Sequence, residues 1–177
     1  MSDPVADVVA SCRQGDRDAQ RELFETFEVT VYRLAIRMVG TADAADVTQQ
    51  VFLQLFRSID QFRGESRFST WLYRLAVNEC LQHIRRRKPA AQLPVDLEPP
   101  DHSPSPAVQA EQRDLLEQAL EKLPTDLRAI FLLREVEKLD YARIADVLEI
   151  AEGTVASRLN RARGTLRKHL VELGWEP

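Results

Sequence analysis

The chain has 177 residues, 44% of them apolar and 29% charged, with a formal net charge of −4. That is the balance of a folded soluble protein, and the length allows either two small domains or one ordinary one. Apolar runs fall well short of the roughly 20 residues that cross a bilayer, and the start of the chain, with Asp3 and Asp7, lacks the basic and apolar stretches of a secretory signal. A cytoplasmic protein without membrane insertion is therefore expected. Cys12 and Cys80 stand alone and His83, His102 and His169 are scattered, so neither a metal nor another cofactor is expected, and both cysteines read as small buried side chains.

Leu, Val, Ile and Ala recur at helical spacing throughout, which predicts a nearly all-α chain. The first predicted helix runs from about Ala19 to Val39 and ends at Gly40. A second covers Ala42 to Phe56, with Thr41 as its N-cap, and a third covers Phe68 to Arg87, with Ser69 near its start. In the second helix Val47, Val51, Phe52, Leu55 and Phe56 share one face. Asp46, Gln49, Gln50, Gln54 and Arg57 fall on the other, a polar but hardly charged surface that spacing alone reads as an ordinary solvated face.

From Pro89 to Pro106 the sequence PAAQLPVDLEPPDHSPSP holds six of the nine prolines, which remove amide donors and push preceding residues out of the helical region. It reads as a linker able to span about 60 Å when fully extended. Beyond it a helix is expected from Val108 to Lys122, stopping before Pro124, and another from there to Lys138. DYARIADVLE (Asp140 to Glu149), the short break IAEG and the basic TVASRLNRARGTLRKHL (Thr154 to Leu170) then give helix, tight break, helix, which is the helix-turn-helix pattern. Val155, Leu159, Ala162, Leu166 and Leu170 recur at helical spacing and must face a core. The opposite side therefore carries Ser157, Asn160 and Arg161, with Arg158 and Arg163 on its flanks and Arg167 and Lys168 beyond. Ser and Asn pair with base edges, Arg makes bidentate contacts to guanine, and flanking cations suit phosphates.

The net negative charge conceals this clustering. Basic residues gather at Arg85, Arg86, Arg87 and Lys88 and again along Arg158 to Lys168, while Asp96, Glu98, Asp101, Glu111, Asp114, Glu117 and Glu121 lie between. Two basic surfaces on an acidic protein imply that each touches nucleic acid weakly and that a larger partner supplies the remaining affinity.

The stretch YARIADVLEIAEGTVASRLNRARGTLRKHL resembles the region 4 helix-turn-helix of the extracytoplasmic-function sigma factors, a branch of the sigma-70 family, most specifically over Gly153 to Arg163. ADAADVTQQVFLQLFRSIDQFRGESRFSTWLYRLAVNECLQHIRRRK is similar to region 2 of the same family. The resemblance implies a domain order of 1–88 as the region 2 lobe, 89–107 as linker and 108–177 as the region 4 lobe. It implies a non-enzymatic initiation factor that directs core RNA polymerase to specific promoters and helps to melt the minus-10 element. It places Asp46, Gln49, Gln50, Gln54 and Arg57 against the polymerase. The loop Arg63 to Arg67, with Ser66, then Phe68, Trp71 and Arg74, falls on the unpaired minus-10 strand, and Asn78 and Arg85 follow along the same element. It places Thr154, Ser157, Arg158, Asn160, Arg161 and Arg163 on duplex minus-35 DNA, with Arg158 and Arg163 on phosphates. Phe62, Arg63, Arg67, Phe68, Trp71, Tyr73 and Arg74 interleave rings and cations as melted bases require, although Trp71 or Tyr73 is expected in the core. An anti-sigma partner held between the lobes is a further implication.

Three departures from the family pattern stand out. Ala156 replaces a frequent Lys or Arg, and Gln50 a frequent acid. Glu149 sits where a glycine commonly ends the first helix of the motif, at a cost of about 1 kcal/mol if that residue is left-handed. Two rival readings fit parts of the chain. An autonomous helix-turn-helix repressor or activator would dimerise on paired half-sites, yet the sequence offers no evident dimer helix. An enzyme using Asp43 and Asp46 would need a phosphate loop, a metal cluster or a nucleophile beside a base, and the sequence has none. Trp175 in the tail either packs on the second lobe or is disordered.

Overall fold

The computed structural model describes residues 5–87 and 106–175, and within them the regular elements are all helical. They are α1 (Ala6–Arg13), α2 (Arg17–Val39), α3 (Thr41–Ser58), a 3-10 turn at Ile59–Gln61, α4 (Phe68–Arg87), α5 (Pro106–Glu121), α6 (Thr125–Glu135), α7 (Tyr141–Leu148) and α8 (Glu152–Glu172). The expected all-α class is found. None of the helices described is long and apolar enough to cross a membrane. The chain divides into two compact units; one is built on α1 to α4, the other on α5, α6, α7 as far as Ala145, and α8. Most of the expected linker lies outside the described residues. Its last expected residues, Pro106 and Ala107, instead open α5, where a proline is tolerated because the first helical N–H has no partner within the helix.

In the first unit α2 starts at Asp16, whose carboxylate accepts from the backbone N–H of Asp18 (2.9 Å) and Ala19 (3.3 Å). It ends at Gly40, whose φ of 86° needs a residue without a Cβ. Gly40 also precedes α3 directly, donating to Ile36 O and accepting from Ala44 N. Because one residue serves both ends, Thr41 is already helical and makes no capping bond, contrary to its expected role. The short α1 has no counterpart among the predicted helices. Most of its apolar side chains are small, and only Val9 and Cys12, three residues apart, are buried in it, while Arg13 donates to the carbonyls of Ile59 and Phe62.

The core of this unit combines Leu23, Leu34 and Met38 of α2 with Val51 and Leu55 of α3 and Leu72 and Val77 of α4. At one end it closes on rings: Phe68 lies 5.4 Å from both Phe27 and Phe62 and 5.8 Å from Trp71. Such ring pairs contribute about 0.5–1.5 kcal/mol each beyond the area they bury. Both cysteines are buried as expected. Burial, helped by neighbouring Glu79, pushes the Cys80 thiol up to about 12.

In the second unit Arg128 is the organising polar residue. Its buried guanidinium donates to the carbonyls of Glu121 and Leu123, satisfying the end of α5 where Pro124 prevents continuation, and burial lowers its pKa. Leu127, Ile130 and Leu133 of α6 pack with Ile144 of α7 and Leu159 of α8 in the core. The α6 helix stops at Glu135, short of the expected Lys138, because Lys138 itself is left-handed (φ 57°). Arg134 stitches that turn by donating to Leu139 O (2.7 Å) while its guanidinium lies over the Tyr141 ring. At Trp175 the backbone N–H donates to Leu170 O, and the side chain, though exposed, lines a surface groove with Leu115, Leu116 and Leu170.

Candidate polymerase and nucleic-acid interfaces

The α3 helix turns Val47, Val51 and Leu55 inward and leaves Asp46, Gln49, Gln50 and Arg57 exposed, with Gln54 half-buried. The division follows the sequence periodicity. Leu53, which the sequence reading passed over, lies in the middle of the outer face and is 41% exposed. An apolar anchor ringed by glutamines is better suited to a protein partner than to solvent. The signal was present in its spacing, out of phase with every buried residue of the helix.

Between the 3-10 turn and α4 the chain reverses through Gly64 (φ 76°), presenting Arg63 and Arg67 to solvent with Ser66 half-buried. Phe68 departs from its expected place. At 1% exposure it belongs to the core, and its ring is unavailable to a base in this conformation. Phe62 is likewise buried, whereas Trp71 and Tyr73, one of which was expected inside, are both half-buried. The physical reason is order along the chain. Phe68 opens α4 facing Phe27 and Phe62 and fills the space that a larger indole would otherwise take.

Trp71 is held against Phe62 and Phe68 with part of its surface open. Arg67, Trp71, Arg74, Asn78 and Arg85 then recur at helical intervals, so they form one stripe that starts in the loop and runs the length of α4. Asn78 and Arg85 are exposed, and Arg85 Nε donates to Leu81 O (3.2 Å) of its own helix. This stripe of a partly open indole between cations matches the needs of unpaired bases.

In the second unit α8 buries Val155, Leu159, Ala162 and Leu166, with Leu170 half-buried, as its spacing predicts. Ser157, Asn160 and Arg161 are exposed on the far side, while Thr154 and Arg158 are half-buried. The Ser157 hydroxyl donates to Thr154 O (3.0 Å), which leaves its lone pairs outward. Arg163 behaves differently from a free phosphate ligand: its Nε and Nη2 lie 3.1 and 2.5 Å from Glu135 Oε1 of α6. The α7–α8 turn closes with Ile150 N donating to Ala145 O, and Glu149 is left-handed with φ 53°. A side chain therefore occupies the strained position that the sequence flagged.

Residues 23–89 match the family model for sigma-70 region 2, and residues 113–166 match that for sigma-70 region 4. The chain is 31% identical to the ECF RNA polymerase sigma factor SigW of Bacillus subtilis (strain 168), over 93% of this chain and 96% of that one. It is 33% identical to the ECF RNA polymerase sigma-E factor of Escherichia coli (strain K12), over 92% and 93% respectively. The chain belongs to the ECF sigma factors. Among solved structures, CnrH in complex with the cytosolic domain of CnrY shares its fold with a TM-score of 0.72 at 21% identity, covering 95% of this sigma factor and 97% of that chain. The sigma factor RpoE in complex with the anti-sigma factor NepR, from Bartonella quintana, gives 0.71 at 21% identity, over 88% and 98%. The α3 face and the α4 stripe of this sigma factor fall within the region 2 match, and α7 with α8 as far as Leu166 falls within the region 4 match. Its class is that of transcription regulators that direct RNA polymerase to promoters.

Proposed function

We propose that this sigma factor docks on core RNA polymerase through Asp46, Gln49, Gln50, Leu53, Gln54 and Arg57 of α3. It reads duplex minus-35 DNA with Ser157, Asn160 and Arg161 of α8, and captures the melted minus-10 strand along the α4 stripe. The observation that carries the reading is the outer face of α8, where base-reading side chains stand opposite a buried apolar row on the second helix of a helix-turn-helix. Thr154 and Arg158 flank that face and hold phosphates, as does Arg163 to the extent that Glu135 releases it.

On the minus-10 side Arg63, Ser66, Arg67, Trp71, Arg74, Asn78 and Arg85 form the contact surface, and Phe68 supports it from beneath by fixing Trp71. A base stacked on an aromatic ring is worth about 1–3 kcal/mol, which offsets lost base pairing without any covalent step, so the protein acts by binding and not by catalysis. The domain roles follow: residues 1–88 for polymerase and minus-10 binding, 89–105 as connector, and 106–177, from the start of α5, for minus-35 binding. An anti-sigma partner, in the manner of NepR with its RpoE, would hold the factor inactive in the cytoplasm. Run-off transcription with purified core polymerase on fragmented genomic DNA tests the proposal. New discrete start sites that depend on the chain are expected; tight duplex binding by the chain alone, with no new initiation, would point to a repressor.

A further inference from the structure

One acid of α3 takes no part in the outer face described above. Asp43 stands in the first turn of α3, makes no capping bond to its own helix, and its side chain is only 13% exposed. Its carboxylate is instead turned to α4: Oδ2 pairs with the guanidinium of Arg87 and lies 3.0 Å from His83 Nε2 without making a hydrogen bond to it. His83 and Arg87 are four residues apart, hence on one face of α4, and that face is turned away from the stripe that carries Asn78 and Arg85.

The other arginines of the basic run are bound differently. Arg85 donates to Leu81 O (3.2 Å) and Arg86 to Gln82 Oε1 (3.2 Å), both within α4. Arg87 reaches across to another helix. Arg85, Arg86 and Arg87 suit the negative end of the α4 dipole, and a carboxylate in the first turn of α3 is favourably placed both for these cations and for the dipole of its own helix.

We propose that Asp43 is a positioning residue, which by binding Arg87 beside His83 fixes the last turn of α4 against the first turn of α3 and so sets where Arg85 meets the minus-10 strand. The proposal rests on the reading of α4 as the minus-10 helix.

The test uses polymerase holoenzyme reconstituted with the full chain and a fluorescent single-stranded oligonucleotide carrying the minus-10 sequence mapped by run-off transcription. Asp43→Asn should weaken oligonucleotide binding roughly fivefold to tenfold, as expected for loss of one charge-assisted hydrogen bond, while affinity for core polymerase stays within about twofold. Arg87→Ala should do the same, and the double variant should be no worse than either single one, because both remove the same clasp. Equal losses in core affinity and oligonucleotide binding would mark a general folding defect and overturn the positioning role, as would additive losses in the double variant. Arg85→Ala separates the two layers. If it weakens oligonucleotide binding and Asp43→Asn does not, the clasp is wrong and the minus-10 reading stands; if Arg85→Ala is without effect, the minus-10 reading fails and takes the clasp with it.

Discussion

The surfaces proposed for nucleic acid in the two units differ in construction. In the second, a single amphipathic helix does everything: the apolar row of α8 anchors it and the reverse side of the same helix carries Ser157, Asn160 and Arg161. In the first, the surface is assembled from a glycine turn, a partly open Trp71 and cations spread along α4, and it is supported from below by the buried rings of Phe62 and Phe68. A helix that meets an intact duplex needs only a rigid face of the right shape. A surface that meets unpaired bases needs exposed ring area, which is stable in water only when the rest of the ring is packed.

The largest expected effect separates support from contact. Phe68→Ala should lower the unfolding free energy of the chain by about 3–5 kcal/mol in urea titration, the usual range for emptying a buried ring site. Trp71→Ala should destabilise less and cost about 1–3 kcal/mol in binding of the single-stranded minus-10 oligonucleotide by holoenzyme. A reversed pattern would mean that Phe68 swings out to meet a base. On the other unit, Arg161→Ala should cost about 1–3 kcal/mol at one minus-35 base pair, measured across a set of single-substituted promoters; an equal loss on every sequence would make it a phosphate contact.

Smaller effects sharpen the same contrast. Glu149→Gly should stabilise the chain by about 1 kcal/mol by relieving a left-handed side-chain residue, without changing promoter choice. Cys80 titrates at about 12 in the folded chain against about 9 for an ordinary thiol, so the folded state favours the protonated form. Its contribution to stability is fully present below pH 9 and is lost as the pH rises from there toward 12. Thiol-reactive dye should accordingly label Cys80 only after unfolding, and labelling of the native chain would contradict its burial.

Much of the second unit was legible in the sequence, because a helix that must bury one row fixes what the other side displays. Val155, Leu159, Ala162 and Leu166 decided the orientation of α8, and the left-handed Glu149 was visible as a missing glycine. The α3 face was legible on the same grounds, although Leu53 was overlooked. Less could be read around the loop from Arg63 to Arg67. Alternation of rings and cations does not say which ring fills the core, and the packing of Phe68 on Phe27, from a helix far earlier in the chain, decided it. The short α1 was missed because its burial depends on Val9 and Cys12 alone, too few residues to establish a period. The pairing of Arg163 with Glu135 joins residues far apart in sequence and had no local signal.

The central claim, that one unit grips melted DNA and the other reads duplex, is tested most directly by initiation on two versions of a mapped promoter, fully duplex and pre-melted over the minus-10 element. The account predicts that Trp71→Ala is defective on the duplex template and largely restored on the pre-melted one, while Arg161→Ala is equally defective on both; if pre-melting rescued the two variants alike, the division of labour would be wrong.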